Sequence, residues 1–142
     1  MKISTILFIT AMMLFAVGTV AAAGEIRIDS AGGSTVAYIN SDGRVENASR
    51  STMGYIDSSG RVEDAYRHTI GYVDSSGRVE DASRSTIGYI DSSGRVEDAS
   101  RSTIAYIESG RIENASRSTL YTYSGLADYQ VLGAYLFFFG GL

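Results

Sequence analysis

Residues 69–85 read TIGYVDSSGRVEDASRS, and the chain repeats this phrase with few changes on both sides. Close copies occupy residues 52–68 and 86–102, and looser copies occupy 35–51 and 103–118, the last of them one residue short. A short fixed period is typical of arrays in which each unit packs on its neighbours. The repeat therefore dictates the architecture of most of the chain.

Each unit alternates short strand patterns with turn patterns. Thr-Ile-Gly-Tyr-Val at 69–73 is rich in β-branched and aromatic residues, which favour strands. The Asp-Ser-Ser-Gly that follows is typical of a short hairpin loop. Arg-Val-Glu-Asp-Ala at 78–82 predicts the return strand, and Ser-Arg-Ser predicts the next reversal. Because the apolar residues lack the spacing of three and four that a helix needs, the sequence predicts an all-β fold.

One unit is too small to fold alone, since ordering its residues costs on the order of 25 kcal/mol and its few apolar side chains cannot offset that. Residues 27–31 align with 44–48, and residues 119–123 resemble the opposite half of a unit. Because each half unit supplies what the other lacks, we expect a closed ring of short β-hairpins, with an open solenoid as the alternative. The sequence contains five complete units in one phase and six hairpins in the other, so the symmetry number stays open.

The first 23 residues have the pattern of a signal peptide. Lys2 is followed by an apolar run over 6–17 and by small residues before a cleavage point after Ala23. The alternative is a retained membrane anchor, but the run is shorter than the ~20 residues that span a bilayer. We therefore expect the protein to be exported to the periplasm or the extracellular space.

The last segment differs from the repeats. The opening half repeat occupies residues 24–34, and the five units occupy residues 35–118. Residues 119–142 contain the closing half repeat and an apolar tail that is rich in phenylalanine at 137–139. Such a tail left in water would aggregate or bind something. We expect it to plug the centre of the ring. Membrane insertion or pairing with a second subunit is the alternative.

Composition narrows the classes of function. The chain after Ala23 carries eleven arginines, no lysine and sixteen acidic residues, a net charge of about −5. This balance disfavours nucleic acid, which requires a basic face. Cysteine is absent, so disulfides and thiolate chemistry are excluded. We expect a monomer that packing alone holds together, whose partner, if any, is an envelope polymer or protein.

The residue pattern resembles a known family. The phrase IGYIDSSGR at 87–95, its alternation with VEDASRSTIGYI, and the aromatic tail are similar to small exported proteins described as β-flowers, in particular the five-fold type. The resemblance covers about residues 26–139. It implies propeller-like hairpins set as petals around an axis, in a family with no established activity. The second turn departs from the family, which often has Ser-Gly-Arg there, and one residue is deleted before Gly110. A more distant resemblance, through Tyr-Ile-Asp-Ser-Ser-Gly-Arg, is to YD-repeat proteins.

Repetition places the same residue types at equivalent points around the axis. The repeated tyrosines, arginines and glutamates could together form a surface that binds glycans or peptides. The alternative, which we favour, is that the tyrosines pack in the core and the charged residues form cross-strand ion pairs. The candidate binding residues are Tyr38, Tyr55, Tyr72, Tyr89, Tyr106, Arg61, Arg78 and Arg95.

The same repetition disfavours catalysis. The Asp-Ser-Ser-Gly turns lack the further oxygen ligands of a calcium loop. His68 is the only histidine, with no cysteine or lysine to complete a triad or a metal site. Repeated carboxylates share one environment, which does not separate pKa values as acid–base roles require. We predict no enzyme, cofactor or metal, and a structural or binding role at the cell envelope. The alternatives are a glycan- or peptide-binding module and, more remotely, a membrane-associated assembly component.

Overall fold

Twelve short antiparallel strands form one closed sheet over residues 24–142, which are the residues described in the computed structural model. The predicted signal peptide at 1–23 lies outside the described residues. The strands are β1 (Ile26–Ser30), β2 (Thr35–Ile39), β3 (Arg44–Asn47), β4 (Thr52–Ile56), β5 (Arg61–Asp64), β6 (Thr69–Val73), β7 (Arg78–Asp81), β8 (Thr86–Ile90), β9 (Arg95–Asp98), β10 (Thr103–Glu108), β11 (Arg111–Asn114) and β12 (Thr119–Ser124). The all-β prediction is confirmed.

The ring closes where the two half units meet. β1 pairs antiparallel with β12, with Ile28 opposite Tyr123 and Ser30 opposite Tyr121. Every strand in the described part of the chain therefore has a partner on each side, and no edge is left to pair with another molecule. The closed ring is confirmed, and the open solenoid is excluded.

The two ends of the barrel have different numbers of turns. At one end, five turns join β2 to β3, β4 to β5, and so on to β10 and β11, whereas β12 and β1 meet only through their ladder. At the other end, six turns join the remaining neighbours. At this end, five strand pairs are thus joined by a turn, and β12 and β1 form a sixth pair without one. This arrangement accounts for both the five complete units and the six hairpins counted in the sequence.

Three of the five turns of the first kind, after β4, β6 and β8, depend on Asp and Gly, as the sequence predicts. The Asp57 carboxylate accepts hydrogen bonds from the backbone N–H groups of Ser59 at 2.9 Å and Arg61 at 3.0 Å. Gly60 takes a φ of +86°, which lies in the left-handed region that a side chain disfavours. The side chain of Asp57 and the freedom of Gly60 therefore close the reversal within four residues.

The strands bury one face in a common core. Four of the five return strands, β3, β5, β7 and β9, have two consecutive buried residues, as in Val79 and Glu80, because a β-bulge shifts the ladder register between them. The valine packs inside the barrel, while the glutamate lies under the side chains of the outer wall. The fully buried members of the core from the return strands and β1 are Ile28, Val45, Val62, Val79, Val96 and Ile112.

The C-terminal segment runs inside the ring. Helix α1 (Tyr129–Tyr135) continues into a π-helical segment (Leu136–Gly140), and the side chain of Asp128 caps α1 by accepting from the N–H of Gln130 at 2.7 Å. Leu132 and Leu136 are fully buried in the same cluster as the strand side chains. The predicted central plug is therefore confirmed. Among residues 24–142, no helix has the length and apolar character needed to cross a membrane.

Three phenylalanines of the plug rest on glycines of three consecutive units. A Cβ added to Gly71 would lie 2.1 Å from Cζ of Phe138. At the same strand position, Ala37 and Ala105 occur in the flanking units, so the strand itself accepts a methyl group. The glycines therefore make room for the rings. The three contacts are Phe137 on Gly88, Phe138 on Gly71 and Phe139 on Gly54.

β12 carries tyrosine where the other units carry Gly or Ala. The hydroxyl of Tyr121 donates to the carbonyl of Gly140 at 2.8 Å, and its ring meets that of Tyr135 edge-on, with 6.5 Å between centroids. The closing half repeat therefore packs a ring of its own against the plug, and it holds the last turn of the plug.

We expect Gly71→Ala to lower the free energy of unfolding by about 1–3 kcal/mol, because the added methyl group overpacks Phe138 and crowds the backbone carbonyl oxygen of Glu80, which lies 2.6 Å from the new carbon. Adding Phe138→Leu should restore part of the loss. Urea denaturation followed by tyrosine fluorescence measures both variants. The control is Gly32→Ala, where the nearest atom to the new carbon is the Ser30 hydroxyl at 3.8 Å. Equal losses at Gly71 and Gly32 would contradict the packing argument.

Burial, together with the charge of Tyr121, raises the pKa of Tyr135 to about 12. The neutral form is favoured in the fold, so this stabilisation is complete below pH 10, the ordinary pKa, and is lost as pH rises towards 12. Tyr135→Phe should therefore flatten the fall in thermal stability between those pH values. Tyr66→Phe should not, because that side chain is 83% exposed. Circular dichroism melts at stepped pH test this, and parallel curves for wild type and Tyr135→Phe would refute it.

Candidate functional site

Each candidate tyrosine is half-buried, and an arginine covers one face of its ring. The guanidinium carbon of Arg84 lies 3.4 Å from the ring centroid of Tyr72, and all five units share this stack within 3.3–3.5 Å. The stacking residue is the turn arginine, which was outside the candidate set. The five pairs are Arg50 on Tyr38, Arg67 on Tyr55, Arg84 on Tyr72, Arg101 on Tyr89 and Arg117 on Tyr106.

The stacking arginines have unusual backbone conformations. Arg84 has a φ of +68°, and its four equivalents have φ of 66–70°. The left-handed region costs roughly 1–2 kcal/mol for a residue with a side chain. The Asp81 carboxylate holds the turn by accepting from the N–H groups of Ser83 at 2.8 Å and Ser85 at 3.0 Å. The fold thus accepts strain in order to place a guanidinium, rather than a glycine, over each tyrosine.

The repeated glutamate lies buried between two arginines. Glu80 is 5% exposed, with one oxygen 2.9 Å from Nη2 of Arg78 and the other 3.2 Å from Nη1 of Arg84. Losing one partner of a buried charge is strongly destabilising. The candidate arginines at 61, 78 and 95 are therefore the second ion partner in their own units. The equivalent carboxylates are Glu46, Glu63, Glu97 and Glu113.

The first turn departs from its sisters. In the second unit, the Asp57 carboxylate lies 3.4 Å from Nε of Arg61. Asn40 occupies the corresponding position in the first unit, and among residues 24–142 the buried side-chain nitrogens without a hydrogen-bond partner are Nδ2 of Asn40 and Nε of Arg44. An amide has an NH2 donor where the carboxylate has its second acceptor oxygen, so Nε of Arg44 faces no acceptor there, a difference already visible in the sequence.

Two turn arginines bind a second carboxylate. Arg50 donates to Glu25 as well as Glu46, and its hydrogen bond lowers the pKa of the Glu25 carboxyl. Arg117 donates to Glu108 at 2.9 Å and to Glu113 at 3.1 Å. The two arginines belong to the first and last complete units, and Glu25 belongs to the opening half repeat. The sequence does not reveal these contacts, because they depend on the curvature of the sheet.

Adjacent hairpins enclose a surface cleft that recurs at three consecutive junctions, and each cleft brings candidate tyrosines and arginines together. The three clefts have volumes of about 290, 540 and 360 Å³ in chain order. In the middle cleft, the hydroxyl of Ser76 donates to Asp74 at 2.6 Å and lowers the pKa of that carboxyl. The middle cleft is lined by Asp74, Ser76, Arg78, Tyr89, Ile90, Asp91 and Arg101.

One turn of the second end carries exposed ring side chains. Nδ1 of His68 lies 3.1 Å from the Asp64 carboxylate, and the ring of Tyr66 lies 6.3 Å from that of His68. The backbone N–H of His68 also lowers the pKa of Asp64 by donating to it. Within residues 24–142, no group of three or more acidic or histidine side chains is placed to hold a metal ion.

Comparison with known proteins identifies a family. Residues 23–139 match the model of a protein family described as 5-fold beta-flower protein. No curated protein matches the chain, and no solved structure does.

We expect Arg84→Gly to lower the free energy of unfolding by about 1–2 kcal/mol, because it removes the stack on Tyr72 and an ion pair to Glu80 while it relieves the backbone. Arg84→Ala loses the same contacts and keeps the left-handed residue, so it should cost roughly 1–2 kcal/mol more. Chemical denaturation of both variants measures the difference. If the alanine variant is as stable as the glycine variant, the strain argument is wrong.

Proposed function

We propose that this protein, which belongs to the 5-fold beta-flower family, is an exported, non-catalytic repeat domain with a structural or binding role at the cell envelope. The observation that carries the proposal is the recurrence of one Tyr-Arg-Glu-Arg set in five units, in which each guanidinium carbon lies 3.3–3.5 Å from its ring centroid. Acid–base chemistry needs paired groups in unequal surroundings. Equal surroundings favour a scaffold that presents one surface several times.

The contacts within each set support a structural use of the repeated residues. An arginine occupies one face of each tyrosine, and two arginines bind each buried glutamate, so these groups mainly hold their own hairpin. Burial of Leu132 and Leu136 inside the ring supports a tail committed to the core rather than to a membrane. A binding role then falls to the outer clefts between hairpins.

The pattern of residues 1–23 supports export. An exported domain without disulfides needs another source of stability, and the ladder of the ring together with the plug supplies it. The envelope is therefore the compartment we propose, reached after cleavage behind Ala23.

We expect the protein purified from its own cells to begin at Gly24 and to fractionate with the periplasm or the medium. Intact mass and N-terminal sequencing establish the first point, and an antibody against the folded barrel establishes the second. A retained Met1 or a cytoplasmic pool would overturn the proposed location. Turnover on a panel of glycosidase and peptidase substrates would overturn the non-catalytic role.

A further inference from the structure

We propose that the three clefts between adjacent hairpins bind a linear, neutral polysaccharide, with successive two-sugar segments of one chain entering successive clefts. This inference rests on the proposed binding role and names its ligand class. Its starting point is that three separate junctions present the same residue types at the same positions, with Glu108 in place of an aspartate in the third. A ligand made of repeated units matches a site made of repeated units.

The clefts contain unused hydrogen-bonding groups. Among residues 24–142, Arg101 donates one side-chain hydrogen bond, from Nη1 to Glu97, although a guanidinium has five N–H donors. No hydrogen bond found in this part of the chain uses the hydroxyl of Tyr89. The carboxylates of Asp74 and Asp91 accept from their own turns and retain further lone pairs. Each cleft therefore offers spare donors beside spare acceptors, which suits hydroxyl groups because a hydroxyl both donates and accepts.

The charge of the wall selects against charged polymers. Residues 69–85 contain three acidic residues and two arginines, so a unit carries a net charge of about −1. Repeated along the ring, this charge repels a polyanion. A polycation would have to lie beside Arg78 and Arg101, which line the middle cleft. A neutral chain meets neither obstacle.

The backbone of the stacking arginines supports a site in this place. Arg84, Arg101 and Arg117 line the three clefts, and each is held in the left-handed conformation. Strained residues of this kind persist where the surrounding structure determines them, and they are frequent at ligand clamps. The stack on the tyrosine also holds the guanidinium in one orientation before a ligand arrives.

The spacing of the clefts sets the expected length dependence. Neighbouring strands lie about 4.8 Å apart, so clefts separated by two strands recur roughly every 10 Å around the wall. A single shallow cleft open to solvent should hold one or two sugars weakly. A chain that reaches a second and a third cleft gains affinity from its effective concentration, without any new kind of contact.

The test uses β-linked N-acetylglucosamine oligomers of two, four and six sugars as the neutral probe, with a galacturonate hexamer as the acidic comparison. Calorimetric titration of the whole purified protein should show at least a tenfold gain in affinity from the dimer to the hexamer. The galacturonate hexamer should bind at least tenfold more weakly than the neutral one. Absence of hexamer binding at millimolar concentration, equal affinity at all lengths, or preference for galacturonate would overturn the proposal.

A matched set of variants locates the site. Tyr72→Phe, Tyr89→Phe and Tyr106→Phe together remove three cleft hydroxyls and keep the rings under their arginines, so binding of the hexamer should weaken at least fivefold while the melting temperature is maintained. Tyr66→Phe changes an exposed hydroxyl outside these clefts and should leave binding unchanged. Equal affinity of the triple variant and wild type would exclude the clefts. A blank titration would leave the exported, non-catalytic role standing, since cell fractionation and the substrate panel test that role separately.

Discussion

The pairing of β1 with β12 is the interaction on which the rest of the structure depends. No single unit can bury enough apolar surface to fold, so each hairpin relies on both neighbours, and that requirement can be met for every hairpin only if the sheet closes. The chain achieves closure by splitting one unit between its ends. The split also leaves the sixth hairpin without a turn, and the C-terminal segment enters the barrel beside that gap, directly after β12.

Closure creates an interior that short strands cannot fill. The plug solves this by placing three consecutive phenylalanines against three consecutive units, where glycine stands at the contact position. The units outside this contact carry Ala37 and Ala105, and the closing half repeat carries Tyr121. Variation at this position therefore follows the shape of the plug rather than drift among copies. Because the glycines that contact phenylalanine occur in three neighbouring units, the C-terminal segment fits inside the ring in one orientation.

The outer wall uses repetition in a different way. Two arginines share each buried glutamate, and one of these arginines also covers a tyrosine. One face of each such tyrosine is therefore already in contact with its own unit and is not free to bind a ligand. The remaining donors and acceptors gather between the hairpins instead of on them. A left-handed arginine at each junction is the local cost of this arrangement, and the Asx turns keep it in place.

The sequence by itself determined the all-β class, the period, the two turn types and the meeting of the half units, because turn chemistry and strand preference act over a few residues. It also indicated the plug, since an apolar tail needs cover. It did not reveal that Arg84 rather than Arg78 stacks on Tyr72, that the ring of Phe138 packs on Gly71, or that Tyr89 lines a cleft together with Arg78. The first contact lies within one unit and depends on the left-handed backbone of Arg84. The other two join residues of different units or segments, and their geometry depends on the curvature of the closed sheet and on the path of the plug. Only the tertiary structure decided them.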